Sequence, residues 1–322
     1  MHKFVFFGGK GGVGKTTVSS AFGLKSAREG LRTLLVSTDP AHSTSDVFDQ
    51  SFDDEPSSVA GIENLHAMEI DPEEELDEHL MEVKRRMTDQ VSPTIVNQLD
   101  QQIELAHQTP GAYEAALFDR FIEVMRNAED FDRVVFDTSP TGGTLRLLSL
   151  PTFLEEWVER LVDKRSTSID LFEKAAIGEK EARLRAEEDP IITHLKERKE
   201  KFEFAGETLR NESEFYLVLN PDELSIRETE RTIEELDGYE IDVDGLVLNK
   251  VTPDPDEVGD GMGAKYLEDR VETERNRIDR IESDFDVPIT GRIESRVEEV
   301  KGDLLEDVAA ELGIEAHHET AV

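Results

Sequence analysis

Residues 9–16 read Gly9-Lys10-Gly11-Gly12-Val13-Gly14-Lys15-Thr16, a run of glycines carrying two lysines and closed by a threonine. Without side chains, such a loop can curl so that successive backbone N–H groups converge on an anion. A helix starting at its end adds its positive pole. The chemistry this pattern suits is phosphate binding. Lys15 stands where it would reach β- and γ-phosphates, and the Thr16 hydroxyl where it would ligate Mg²⁺. Thr17 is placed for an α-phosphate oxygen. A Gly-rich turn that binds nothing is the bland alternative. The apolar run Phe4-Val5-Phe6-Phe7 before the loop and a helical pattern after it supply the strand–loop–helix context that argues against it. Lys10 is the unusual member, because an ordinary phosphate loop leaves that position free.

Two carboxylates complete the constellation. In Ser37-Thr38-Asp39-Pro40-Ala41-His42-Ser43, Asp39 follows a strand pattern and can hold an attacking water near a γ-phosphate. Asp137 ends the expected buried strand Phe131-Asp132-Arg133-Val134-Val135-Phe136-Asp137 and suits the outer shell of Mg²⁺, shared with Asp39. Pro140, Gly142 and Gly143 then make a loop able to change shape on hydrolysis. Alone, either aspartate would be read as a cap or turn residue; both at strand ends beside a phosphate loop point to catalysis. His42 reads as a hydrogen-bonding residue of the same loop, since no second histidine has metal-ligand spacing.

The elements that must position these residues follow from periodicity. Strands are expected at 3–7, 32–37, 65–70, 131–137, 215–220, 243–249 and 288–293, with helices at about 15–29, 225–237 and 264–284. This alternation predicts an α/β fold: a doubly wound, mainly parallel sheet within one domain spanning 1–322. Two stretches, about 73–127 and 151–212, read as largely helical insertions forming a subdomain. The tail 314–322 shows no packing pattern and is expected to be disordered.

Composition narrows the setting. Asp and Glu number 74 against 36 Lys and Arg, a formal net charge of −38. The apolar strand patterns exclude a disordered acidic chain, leaving a folded protein with an acidic surface, as in a cytosol of molar salt. There the Debye length is only about 3 Å and self-repulsion is screened. No basic stretch offers a grip on nucleic acid or anionic lipid. The sequence contains no cysteine, which excludes Cys-ligated zinc, iron–sulfur clusters and disulfides. No apolar run approaches a membrane span and no signal-peptide pattern opens the chain, so stable membrane insertion is not expected and a cytoplasmic location is.

The lysine pair of residues 9–16 resembles the deviant Walker A group of dimeric ATPases. With Asp39-Pro40-Ala41-His42-Ser43, the 137–146 segment and Glu228-Thr229-Glu230-Arg231, the likeness narrows to the Get3/ArsA family, nearest to an archaeal, halophilic-type Get3 homologue without the zinc Cys pair. The resemblance implies an ATP-hydrolysing, Mg²⁺-dependent homodimer that opens and closes with nucleotide. It implies Lys10 as a second catalytic residue crossing to the partner's nucleotide, Asp39 as the hydrolytic aspartate, and Asn249 as an adenine contact. Asp222 stands where the family has a nucleotide-site glutamate, and Val297 begins a loop that lines the adenine. Members of the family deliver tail-anchored membrane protein helices to a membrane receptor or drive arsenite pumps. The stretch at 253–265 lacks the family's zinc-binding cysteines, and metalloid-binding thiolates are also missing, so neither zinc nor arsenite is expected.

A client groove would draw on Leu80, Met87, Leu99, Leu117 and Phe121 from the first helical stretch and Leu154, Trp157 and Leu161 from the second. The alternative is that these stripes pack only on one another. Two other functions fit the lysine pair. One is a ParA/MinD-like positioning ATPase, although Glu298–Glu319 lacks a basic membrane anchor. The other is a nucleotide-switched regulator of a folded partner with no groove.

Overall fold

The computed structural model describes residues 2–38, 43–71, 73–78, 81, 112–137, 160, 190–254 and 261–316. Strand β1 (Phe4–Gly8) is buried along its whole length, as an apolar run in the middle of a parallel sheet must be. Helix α1 (Lys15–Arg28) turns Val18, Phe22 and Leu24 inward and is closed by Gly30, whose φ of +94° lets the chain reverse into β2 (Thr33–Ser37). There follow α2 (Ser43–Phe48), the short β3 (Ser57–Ser58), β4 (Leu65–Glu69), α3 (Ala112–Arg126), β5 (Arg133–Asp137), α4 (Pro190–Asn211) and β6 (Ser213–Leu219). The chain then alternates through α5 (Glu223–Asp237), β7 (Gly245–Val251), α6 (Met262–Asp284), β8 (Ile289–Glu294) and α7 (Asp303–Glu311).

Among the described residues the eight strands lie in the order β3-β4-β2-β5-β1-β6-β7-β8, all parallel but the antiparallel edge strand β3. Register aligns the carboxyl ends. Phe7 and Ser37 both pair with Asp137, Ser37 also pairs with Glu69, and Gly8 pairs with Leu217. Alternate side chains feed opposite faces. Phe6, Phe136 and Phe215 stack beneath α3 and α4, with ring centroids 4.6 and 4.8 Å apart. Val5, Phe7, Leu35 and Val135 pack on the other face with α1 and α7.

The doubly wound α/β architecture agrees with the sequence expectation; three details differ. Leu117 and Phe121, expected to line a client groove, are 9% and 2% exposed and belong to the core under the sheet. Phe121 meets the Phe136 ring at 5.2 Å, so this stripe is spent on the sheet. The ends of both expected insertions, α3 and α4, therefore serve the α/β core. Leu80, Met87, Leu99, Leu154, Trp157 and Leu161 lie outside the described residues. The start of the expected disordered tail is also ordered. Ile314 and Ala316 are buried, Gly313 N–H donates to Thr290 O at 2.7 Å, and Arg133 donates to the Ala316 carbonyl at 2.9 Å. Helix α7 was not among the expected helices; its Leu305, Val308 and Ala309 are buried and pack on α1. Among the described residues no helix is long and apolar enough to cross a membrane.

One ionic cluster joins the start of the first helical stretch to the core. Arg120 of α3 lies 3.2 Å from Glu75 and 3.0 Å from Glu123, and donates to Asp54 O at 2.7 Å. Burial raises the Glu75 carboxyl to about 7 against the pull of Arg120, with Glu78, Glu123 and Asp54 adding repulsion. The unfolded carboxyl ionises near 4.5, so between these values the native state holds a proton that the unfolded state has shed. This contribution is full below the unfolded value and is lost as pH rises through about 7. From about pH 5 to about pH 8, wild type is expected to lose about 1–2 kcal/mol more stability than Glu75→Gln. Urea unfolding at fixed salt checks this, and parallel pH dependences would refute it.

Candidate active site

The phosphate loop leaves β1 at the centre of the sheet, where connections run outward to both sides. This is the crevice at which parallel α/β sheets bind ligands. Two of its glycines are dictated by close approach. A Cβ on Gly9 (φ +144°) would lie 2.2 Å from Val218 O of β6, and one on Gly14 (φ +94°) 2.3 Å from the Asn249 Nδ2. The loop closes around one carbonyl: Lys10 O accepts from Lys15 Nζ at 3.1 Å and faces Val13 N at 3.5 Å. Gly11 and Gly12 are exposed, with open space where a Cβ would point. Gly14 supplies no side-chain cap to α1, whose first residues are Lys15, Thr16 and Thr17, all half-buried. An open loop with an uncapped helix start fits a polyphosphate, because the orphan N–H groups of the first turn need acceptors.

The carboxyl ends of neighbouring strands supply the rest. Asp137 is 2% exposed at the end of β5; its Oδ2 lies 3.5 Å from Ser37 Oγ, and its carbonyl accepts from Thr38 N–H at 3.3 Å. It thus fixes the exit of β2, from which the Asp39 segment departs. Asp39 and His42, like 138–146, lie outside the described residues. Asn249 is 5% exposed on β7 and its amide donates to Val13 O at 2.7 Å, which places it against the phosphate loop. Asp222 caps α5, accepting from the N–H groups of Leu224 and Ser225 at 3.1 and 2.9 Å. Lys10 reaches across to α5, its Nζ 3.8 Å from Glu228 Oε2. Val297 is fully exposed on the loop after β8, whose base is tied by Arg296 to Glu311 at 2.5 Å.

Two residues here carry no motif and were not anticipated. Glu69, 5% exposed at the end of β4, accepts from Ser45 N–H and Ser45 Oγ, both at 2.8 Å. It thereby holds the first turn of α2, immediately after the Asp39 segment. A lone acid closing the apolar strand Leu65–Glu69 was the available signal. Lys250 donates to Gly12 O at 2.7 Å; nothing but its place after Asn249 marked it. Among the described residues no cluster of three or more His, Asp or Glu could hold a metal by itself. Magnesium would instead be held by Thr16, with Asp137 beyond it, and by the nucleotide's own oxygens. When bound it neutralises charge on the β- and γ-phosphates.

A family model described as anion-transporting ATPase, of the ArsA type, matches residues 2–313. The chain is a member of the ArsA ATPase family. This ArsA-family protein is 34% identical over 310 residues to the ATPase ASNA1 homolog 1 of Paramecium tetraurelia, covering 93% of this chain and 89% of the relative. It is 36% identical to the putative arsenical pump-driving ATPase 2 of Aquifex aeolicus, covering 87% of this chain and 88% of that protein. To the ATPase get3 of Schizosaccharomyces japonicus it is 35% identical, covering 79% and 76% respectively. The ArsA-family chain is therefore an ATPase, and the family likeness inferred from the motifs holds over nearly its whole length.

Proposed function

We propose that this ATPase works as a homodimer that closes on MgATP and reopens after hydrolysis, binding apolar protein segments such as tail-anchored helices in one state and releasing them to a membrane receptor in the other. The observation that carries this reading is Lys10, a second lysine in a loop that needs only Lys15 for its own phosphates. Its ammonium rests on an exposed carboxylate, Glu228, a partner it can exchange for phosphate oxygens at little cost. Asp39 polarises the attacking water, Thr16 ligates Mg²⁺ with Asp39 and Asp137 in its outer shell, and Asn249 flanks the base. Asp222 and Val297 border the bound nucleotide.

The surface near α6 supports a partner subunit. Tyr266, 66% exposed, lines a cleft of about 490 Å³ with Pro221, Asp222, Lys250, Arg270 and Arg277. Met262, one turn earlier, and Leu224, at the start of α5, are 92% and 56% exposed. Apolar side chains this exposed suit a covered face, and with no cysteine in the sequence the dimer is held by packing and shared nucleotide rather than by zinc. The net charge of −38 fits work in a cytosol of molar salt. Metalloid activation through thiolates is not part of this reading, since the sequence has none to offer.

Asp39→Asn tests the cycle. It is expected to bind MgATP as wild type does, to lower turnover by about 10²–10³-fold, and to accumulate as a closed dimer. Light scattering in about 1 M salt reads the dimer, and crosslinking of a photoreactive apolar helix to that dimer reads the client. Turnover near wild type would remove Asp39 from the chemistry. A closed dimer without an ATP-dependent crosslink would favour a regulator of a folded partner instead.

A further inference from the structure

The ladder between β7 and β8 breaks beside the phosphate loop. Leu248 pairs with Arg292, but the next aligned pair is Val251 with Glu294, and between them Lys250 takes φ +57°. A non-glycine residue adopts this left-handed conformation only where its surroundings impose it. What the irregularity achieves is a double grip. Asn249 Nδ2 donates to Val13 O at 2.7 Å, its Oδ1 accepts from Lys250 N–H at 2.9 Å, and Lys250 Nζ donates to Gly12 O at 2.7 Å. Two successive carbonyls of the loop are thus held from β7.

The direction of that grip matters. In a trans peptide the C=O and the following N–H point opposite ways. Drawing the Gly12 and Val13 carbonyls toward β7 turns the N–H groups of Val13 and Gly14 away from it, toward the inside of the curl. The Val13 N–H does face the Lys10 carbonyl there, at 3.5 Å. Gly14 has room for the grip only because it lacks a Cβ at the place where Asn249 sits.

We propose that Lys250 is a positioning residue for ATP binding: together with Asn249 it presets the phosphate loop so that its N–H groups face the nucleotide before the nucleotide arrives. The inference rests on reading residues 9–16 as the ATP site. Lys250 acts through Gly12 and touches no reacting atom. Preorganisation lowers the cost of ordering a loop at the moment of binding, so its loss falls on affinity rather than on the chemical step.

The test compares full-length wild type, Lys250→Met and Lys250→Arg, with Lys15→Ala as a reference. Methionine keeps the stem and the same backbone demand while removing the donor; arginine keeps a donor. Lys250→Met is expected to raise both the Kd for MgATP and KM about tenfold, with kcat within about twofold and the nucleotide-free Tm unchanged. Amide exchange at residues 12–14 should quicken, and Lys250→Arg should recover most of the affinity. An unchanged Kd in Lys250→Met, or a fall in kcat at constant KM, would overturn the proposal while leaving the ATP site standing. A lower Tm matched by an equal affinity loss in Lys250→Arg would overturn it as well, by making the contact merely structural. If wild type and Lys15→Ala bound MgATP alike, the reading of the loop would fall and the proposal with it.

Discussion

Lys15→Ala is expected to lower ATP turnover about 10²–10³-fold and to weaken MgATP binding in parallel, while leaving the fold intact. Lys15 opens α1 and is half-buried, with its ammonium 3.1 Å from the Lys10 carbonyl at the centre of the loop. That contact keeps the charge where β- and γ-phosphates would sit. Alanine suits a helix start, and the apolar anchors of α1, Val18, Phe22 and Leu24, are untouched, so the loss is one of charge and not of structure. A chain with a formal charge of −38 repels a polyphosphate at low salt, and the cation that draws it in is local. Steady-state phosphate release alongside a melting curve separates the effects. Turnover within tenfold of wild type, with an unchanged Tm, would contradict the role given to Lys15.

Why the fold and the loop could be read early is a matter of how locally their signals are written. Phe4–Phe7, Leu34–Val36 and Val134–Phe136 are buried on both faces, so each appears as a continuous apolar run of strand length. Gly9, Gly14 and Lys15 lie within a few residues of each other because one loop must wrap one ligand. Residues that work across the sheet leave no such trace. Glu69 acts on Ser45, and Lys250 acts on Gly12, 238 positions away. Their meaning depends on strand order, which periodicity does not encode. Helix α7 is a different matter, since Leu305, Val308, Ala309 and Leu312 recur at helical spacing and its stripe is legible in the sequence although the expected elements do not include it. The misreading of Leu117 and Phe121 came from the opposite problem. An apolar stripe states that a helix face is covered and not what covers it, and here the cover is Phe136 and its neighbours on the sheet. Asp222 illustrates an intermediate case: its side chain is visibly an N-cap of α5, a role that any strand-to-helix turn can ask of an aspartate.

Lys10 gives the second large effect. It pairs with Glu228 at 3.8 Å while both side chains are substantially solvated, a contact worth about 0–1 kcal/mol at most. Losing it should not disturb the protein's own loop, which is closed by the Lys10 carbonyl rather than by its ammonium. An ammonium entering the partner's site would instead stabilise charge developing on the transferred phosphoryl, an effect that in comparable fingers reaches about 10³–10⁵ in rate. The claim of a homodimer with shared chemistry therefore reduces to which site suffers. Dimers in which Lys15→Ala silences one site answer it directly. When the silenced subunit keeps Lys10 and the active subunit carries Lys10→Ala, the remaining site should hydrolyse ATP at close to the rate of a single wild-type site. When the silenced subunit carries both substitutions and the active subunit is wild type, hydrolysis should fall at least about 10²-fold. The reverse pattern, with loss following the Lys10→Ala subunit's own site, would contradict a lysine acting across the interface and with it the nucleotide-closed homodimer proposed for this ATPase.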